Sequence, residues 1–154
     1  MSHNQLENLF THGADTAEYL FKAQGEIFPM WLGQDQRGRR YPLVISDMSD
    51  KDKAADAVKT WLKEKNIIRY VHMIECWVLE GHTKDIPQEI IEGKSIEHHQ
   101  DRREAIHVMA EDREGNAISG CYYILRPEHS KVTLSPFKKH EKMQSEGRFV
   151  KMFT

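Results

Sequence analysis

The chain has few cysteines, almost no net charge and no long apolar run. Its 154 residues include 2 cysteines, and 22 basic against 24 acidic side chains give a formal charge of −2. Disulfide scaffolds normally hold more cysteines, so we interpret Cys76 and Cys121 as reduced thiols. The charge balance argues against general nucleic-acid or anionic-membrane binding. No stretch is long enough to cross a bilayer, and the first residues lack the pattern of a signal peptide, which predicts a cytoplasmic protein.

Recognised catalytic and metal-binding motifs are also missing. The sequence contains no P-loop, no GxGxxG after a strand, no HExxH and no paired CxxC. We therefore predict no catalytic residue, no metal site and no cofactor. The densest group of ligand-type side chains is 97–101, which contains His98 and His99, with His82 upstream. A zinc site needs several ligands converging in tetrahedral geometry, and we interpret this segment as a solvated loop.

An Asp-x-x-Gly tetrapeptide occurs twice, as Asp35–Gly38 and as Asp112–Gly115, each time between apolar runs. A type I turn followed by a left-handed residue closes a hairpin, and glycine adopts positive φ with little steric cost. Aspartate at the first turn position accepts hydrogen bonds from the amides that follow it. The two copies therefore predict two β-hairpins.

Hydrophobic periodicity predicts the remaining elements. The expected helices span 4–24 and 51–65, and the expected strands span 27–34, 39–46, 67–80, 104–112 and 116–126. Residues 81–103 form a long connection with a short helix near 87–92. A C-terminal extended tail is expected to hold two further short strands, 131–137 and 147–153, separated by a polar loop or exposed helix at 138–146.

This order, helix-β-β-helix-β-β-β, predicts a single α+β domain over residues 1–154. The expected architecture is an antiparallel sheet of about five strands with both main helices on one face. The same order of elements occurs in profilin-like and roadblock-like domains. The analogy concerns the fold alone, because folds of this kind host unrelated functions.

The second hairpin has one favoured register. Placing Asp112 opposite Asn116 gives an apolar face, whereas a shift of one residue would mix the two faces. That face pairs Ala110 with Ile118, Val108 with Gly120, and Ile106 with Tyr122; the other pairs His107 with Cys121, Met109 with Ser119, and Ala105 with Tyr123. A Cys–His pair can form a thiolate nucleophile, but a cysteine in the middle of a strand is usually an inert apolar residue.

Both faces of strand 67–80 carry apolar side chains, and two helices on one face would leave the other to be covered by something else. The candidates are a second copy, another protein, or tail residues, namely Phe137, Phe149, Val150, Met152 and Phe153. Large exposed apolar patches usually mark interaction surfaces. We therefore predict a non-enzymatic module that binds itself or another protein. The expected contact residues are Trp77, Tyr123, Trp31 and Met109, because aromatic residues and Met are enriched at interface cores.

Two other functions stay open. One is a small hydrolase that brings His98, His99 or His107 together with carboxylates or Cys121 beside loop 81–103. The other is a small-molecule sensor with a pocket between helix and sheet. Basic patches at 37–40 and 138–140 can attract a phosphate or an acidic partner, and we interpret them as solvated turns.

Three segments resemble small uncharacterised proteins of bacteria and their phages. They are Phe28–Trp31, Ile68–Trp77 and Ala110–Gly115, and the likeness extends over residues 17–126. That group has no assigned activity, so the resemblance implies no catalytic residue. It implies a cytoplasmic protein of mobile-element origin, whose partner would be a host protein.

Overall fold

The computed structural model describes residues 2–78, 103–140 and 152–153, with side chains described from residue 4 onward. The elements of these segments are α1 (Ser2–Gln24), β1 (Met30–Asp35), β2 (Arg40–Val44), α2 (Lys51–Glu64), β3 (Ile67–Val78), β4 (Arg103–Asp112), β5 (Ala117–Leu125), β6 (Thr133–Leu134) and β7 (Lys138–Lys139). The predicted order of helices and strands is confirmed. The short helix expected near 87–92 and most of the strand expected at 147–153 lie outside the described residues.

The strands form one antiparallel sheet in the order β2-β1-β3-β4-β5, with β6 and β7 both pairing with β5. The fold is therefore α+β with an antiparallel sheet, as predicted. The predicted register of the second hairpin is also confirmed, because Ile106 pairs with Tyr122 and His107 pairs with Cys121. Hairpin pairing is local, and its alternation of apolar and polar residues specifies the register.

Strand β7 lies in a segment that we expected to be a loop or an exposed helix, and that expectation was wrong for its two residues. Gly120 of β5 opposes Lys139, and a Cβ atom on Gly120 would lie 2.5 Å from the Phe137 ring and 2.7 Å from the Lys138 carbonyl oxygen. The missing side chain lets the tail approach β5 closely enough to pair with it. A polar sequence gives no sign of this distant contact.

Helix α1 has one apolar stripe and ends at a left-handed glycine. Gly25 has φ of +79°, and its N–H donates to the Phe21 carbonyl at 2.7 Å. The buried stripe consists of Leu6, Leu9, Phe10, Ala14, Ala17 and Phe21. It packs on Val71, Met73, Ile106 and Val108, side chains that share one face of β3 and β4. We call this side of the sheet the first face.

Helix α2 begins at Asp50, whose carboxylate accepts a hydrogen bond from the Lys53 N–H at 3.1 Å. Its stripe consists of Ala54, Ala55, Val58, Trp61 and Leu62. Most of that stripe packs in one cluster with Trp31, Tyr70 and Met109. Tyr70 adjoins Val71 in β3, and successive strand residues point to opposite faces. Helix α2 therefore covers the opposite, second face.

The expectation that both helices lie on one face is thus wrong. Each helix has an apolar stripe, and the central strands have apolar residues on both faces, so the sequence pattern does not say which face a helix covers. In the structure, one helix packs on each side of the long sheet. This arrangement buries more apolar surface than two helices packed on the same side would.

Part of the C-terminal tail packs on the second face. Met152 is buried in the α2 cluster, and the Phe153 ring lies 5.4 Å from the Tyr70 ring. The Met152 N–H also donates to the Glu111 carboxylate at 3.1 Å. Phe137 packs instead on the first face, with its ring 5.6 Å from that of Phe10. The expected face without a helix does not occur, because α2 lies on the second face beside Met152 and Phe153. Phe149 and Val150 lie outside the described residues.

Candidate functional site

The four residues expected to contact a partner do not form one exposed surface. Trp31 is 0% exposed and Met109 is 1% exposed, because both lie in the cluster under α2. Tyr123 is buried too, with the Arg103 guanidinium 3.6 Å from its ring centre. Trp77 is partly buried and lines an open depression of about 540 Å³ at the end of the sheet. This placement does not suit a contact role for Trp31 or Met109.

The first hairpin carries the exposed apolar side chains of the first face. Leu32 pairs with Pro42, and Met30 pairs with Val44. Val44 is 54% exposed and Pro42 is exposed, while Phe28, just before β1, is 49% exposed. We call these five residues the hairpin strip. Large exposed apolar patches are uncommon on soluble monomers and typically mark interaction sites.

Among the described residues, α1 leaves most of the strip exposed because it lies elsewhere on the same face. Leu32 of β1 opposes Val71, and Met30 opposes Met73, so these β1 side chains share the first face with the α1 contacts. Helix α1 packs over β3, β4 and β5, and Met30 and Leu32 only touch the margin of its cluster. Sequence reasoning missed this strip, because periodicity does not reveal which strands a helix leaves bare.

The backbone edge beside the strip is poorly suited to strand addition. The Ile45 N–H donates to the Pro29 carbonyl at 3.0 Å, and the Asp35 N–H donates to the Arg39 carbonyl at 2.9 Å. Antiparallel alternation then points the main-chain groups of Arg40, Pro42 and Val44 away from β1. Pro42 has no N–H, so a donor is missing in the middle of this edge. The surface therefore offers side chains rather than backbone hydrogen bonds.

The second face contains a buried histidine that the fold keeps neutral. The His72 ring stacks on the Trp31 indole at 4.1 Å with an interplanar angle of 9°. Its Nδ1 lies 3.0 Å from the Met30 carbonyl oxygen, which can only accept, so Nδ1 carries the proton. Burial lowers the pKa of His72 to about 4, against the opposing effect of this hydrogen bond, and nearby His107 lowers it further.

His107 and Cys121 are neighbours as predicted, but their surroundings do not favour a thiolate. Burial lowers the pKa of His107 to about 4, and His140, whose ring is 5.9 Å away, contributes to that shift. Burial, followed by the effect of Cys121, raises the pKa of Cys76 to about 11. Cys121 itself is 1% exposed, which closes its sulfur to a substrate. Reactive cysteines are typically partly exposed, and Cys121 is not.

A serine–histidine contact joins β5 to the tail and was not predicted. Ser119 Oγ lies 3.0 Å from His140 Nδ1, and the His140 N–H donates to the Ser119 carbonyl at 2.9 Å. Acyl transfer needs a nucleophile that a substrate can reach, together with donors for the oxyanion. Ser119 is buried, so we interpret this contact as a structural hydrogen bond that holds the segment after β7 against β5. No signal in the sequence links the two residues.

Metal and hydrolase sites gain no support from the part of the chain that the structure describes. Within residues 2–78, 103–140 and 152–153, no group of three His, Cys, Asp or Glu side chains is placed to hold a metal ion. His98 and His99, which the hydrolase alternative invokes, lie outside these segments, as does His82 upstream of them.

The two Asp-x-x-Gly turns lie side by side at one end of the sheet. Asp35 in β1 and Asp112 in β4 flank the start of β3, pairing with Ile67 and Arg69 respectively. The Arg113 N–H donates to the Ile68 carbonyl at 3.1 Å, which ties the second turn to β3. An open cleft of about 700 Å³ runs between the turns. Two motifs far apart in the chain thus form one structural feature.

Comparison with family models, with curated proteins and with solved structures finds no match to this chain. The resemblance to bacterial and phage proteins and the analogy with profilin-like domains therefore stay predictions. Among the described residues, neither helix combines the length and the apolar character needed to span a membrane.

Proposed function

We propose that this protein is a non-enzymatic interaction module that self-associates through the hairpin strip. The observation that carries the proposal is the exposure of Phe28, Pro42 and Val44 beside a helix that covers only the neighbouring strands. Contact with a second strip would remove these side chains from water, and the hydrophobic effect would drive that association.

Charges at the two ends of the strip favour a second copy over an unrelated partner. Glu26 is exposed two residues before Phe28, and Arg40 is exposed at the other end of the strip, two residues before Pro42. A two-fold axis brings the same patch of two subunits together in opposite directions. Arg40 of one copy would then approach Glu26 of the other, which makes the strip self-complementary in charge. Because Pro42 lacks a backbone donor, we expect two copies to associate through the side chains of the strip and not by pairing their β2 edges.

The first experiment is Val44→Glu, with mass measured by size-exclusion chromatography and light scattering over a concentration series. We expect the mass of the wild-type protein to rise toward that of a dimer, and the variant to remain a monomer. Val132→Glu is the matched control, because Val132 is 41% exposed but lies outside the strip. Self-association would be overturned if the wild-type protein were a monomer at every concentration. It would also be overturned if Val44→Glu and Val132→Glu dissociated to the same extent.

A charge swap tests the two-fold arrangement. Arg40→Glu alone should weaken the dimer by placing like charges together, whereas Glu26→Lys combined with Arg40→Glu should restore it. If the double variant stays as weak as the single one, the two ends of the strip do not meet.

The hydrolase alternative has less support. Of its candidate groups, Cys121 is buried, and burial lowers the pKa of His107 to about 4, which keeps its imidazole neutral. The sensor alternative has only a shallow candidate among the described residues, a surface depression of about 350 Å³ between α2 and the segment that follows β2.

A further inference from the structure

The cleft between the paired turns is lined by three arginines, two from the first hairpin and one from the second. Arg37 belongs to the first turn, Arg39 follows it, and Arg113 belongs to the second turn. Their side chains border the cleft of about 700 Å³ together with Asn66. Pockets for small ligands typically enclose about 300–1,000 Å³, so the cleft has the right size for one.

The turns hold this cleft in a defined shape. Asp35 Oδ1 accepts hydrogen bonds from the N–H groups of Arg37 and Arg39, both at 2.9 Å. Asp112 Oδ1 accepts from the N–H groups of Glu114 and Asn116 in the same way, also at 2.9 Å. The arginines therefore project from two rigid turns, which lowers the entropic cost of closing them around a ligand.

Positive charge dominates the cleft. Asp35 contributes the one carboxylate of the lining, and its Oδ2 already accepts bonds from Arg39 Nε and the Tyr41 hydroxyl, both at 3.2 Å. Burial opposes ionisation of Asp35, but the hydrogen bonds from Arg39, Arg37 and Tyr41 outweigh it and lower its pKa. Among the described residues, no ion pair engages Arg37 or Arg113. Three arginines thus line the cleft together with one carboxylate, which already accepts four hydrogen bonds.

We infer that the paired-turn cleft binds a small ligand that carries two or more phosphate groups. Guanidinium groups match phosphate oxygens through two parallel hydrogen bonds, and three of them need a ligand with several negative charges. A ligand with a single carboxylate would leave most of the positive charge of the three arginines unmatched. A long nucleic acid is disfavoured because the net charge of the whole chain is −2. The site lies at the turn end of the sheet and is independent of the hairpin strip proposed for self-association.

The test is isothermal titration calorimetry at low ionic strength with inorganic pyrophosphate and, in a second arm, adenosine diphosphate. We expect pyrophosphate to bind, and Arg37→Gln and Arg113→Gln each to weaken the affinity about tenfold or more, as loss of a charge-assisted hydrogen bond predicts. Both side chains are exposed, so the variants should keep the thermal midpoint of the wild-type protein. Tighter binding of the nucleotide than of pyrophosphate would identify a nucleotide as the ligand; equal binding would identify the phosphate groups alone.

Lys131→Gln is the charge-matched control. Lys131 is exposed near the far end of β5, and its substitution removes one positive charge, as each arginine substitution does. The proposal is overturned if the wild-type protein does not bind pyrophosphate, or if Lys131→Gln weakens binding as much as Arg113→Gln does. Binding of an oligoglutamate peptide in place of pyrophosphate would also overturn it. None of these results depends on the oligomeric state, so this test and that of the hairpin strip can fail separately.

Discussion

Asp35 and Asp112 have the same role in two turns that are far apart in the chain. Each is buried, and each accepts backbone N–H bonds from residues two and four positions ahead. Gly38 and Gly115 follow with φ of +86° and +88°, which side chains other than glycine rarely adopt. The predicted role of both tetrapeptides is confirmed. A turn is decided by a few neighbouring residues, so a single sequence suffices to read it.

His72 should make the stability of the fold depend on pH. Its folded pKa of about 4 lies below the ordinary value of 6.5, so the unfolded chain binds the proton more readily. Stability from this group is fully present above the unfolded pKa and is lost as pH falls from 6.5 toward 4. The loss amounts to roughly 3 kcal/mol, by the equivalence of one pKa unit with about 1.4 kcal/mol.

Urea unfolding at about pH 7 and about pH 5 measures this dependence. His72→Phe keeps a ring against Trp31 but does not titrate, so its free energy of unfolding should vary less with pH than that of the wild-type protein. Part of the dependence should remain, since the pKa of His107 is lowered in the same direction. An unchanged pH dependence in His72→Phe would contradict this account.

At the scale of elements, the contact between α1 and β3 depends on a glycine in the middle of the helix. A Cβ atom on Gly13 would lie 2.5 Å and 2.8 Å from the two methyl carbons of Val71. By helix propensity alone, a glycine at this position would only weaken the helix. The structure gives the compensating reason, because the missing side chain lets the helix approach the sheet closely.

Gly13→Ala should therefore destabilise the protein, although alanine favours a helix by about 1 kcal/mol. Overpacking costs about 1–3 kcal/mol, and the branched Val71 has little freedom to turn away. In a Val71→Ala background the same change should be neutral or stabilising. Urea unfolding of the four proteins of this double-mutant cycle measures the coupling. A gain in stability from Gly13→Ala alone would show that the helix is free to shift.

At the scale of the whole molecule, one sheet is covered by three separate pieces of chain. Helix α1 covers β3 to β5 on the first face, α2 covers the second face near Trp31 and Tyr70, and Met152 with Phe153 extends that second cover. Within the part of the chain that the structure describes, the first hairpin has no comparable cover on the first face beyond the partial contact of Met30 and Leu32 with the α1 cluster. The apolar surface that we expected on the second face is largely hidden, and the exposed strip lies on the other side.

Met152→Ala tests whether the end of the chain is part of the core. Removing a buried methionine side chain typically costs about 2–5 kcal/mol, and Met152 is 3% exposed, so we expect a loss of stability within that range. Val132→Ala, at an exposed position, should have little effect. The free energy of unfolding in urea gives both values. Equal stability of the wild-type protein and Met152→Ala would mean that the tail does not contribute to the core.

The order of helices and strands, the two turns and the register of the second hairpin could be predicted from the sequence. These features depend on neighbours along the chain or on the two-residue period of a strand, and both are visible in a single sequence. The identity of neighbours such as His107 and Cys121 followed from that register. The protonation states of His72, His107 and Cys76 could not be predicted from the sequence, because burial determines them.

The sequence by itself determined which segments become helices, strands and turns, because those choices reflect local spacing and backbone preference. Only the tertiary structure decided that the helices take opposite faces, that Gly120 admits the tail, and that the arginines of two turns share one cleft. These outcomes depend on distances between residues far apart in the chain. These distances are set when apolar side chains from the whole chain pack together away from water. A local sequence pattern does not contain that information.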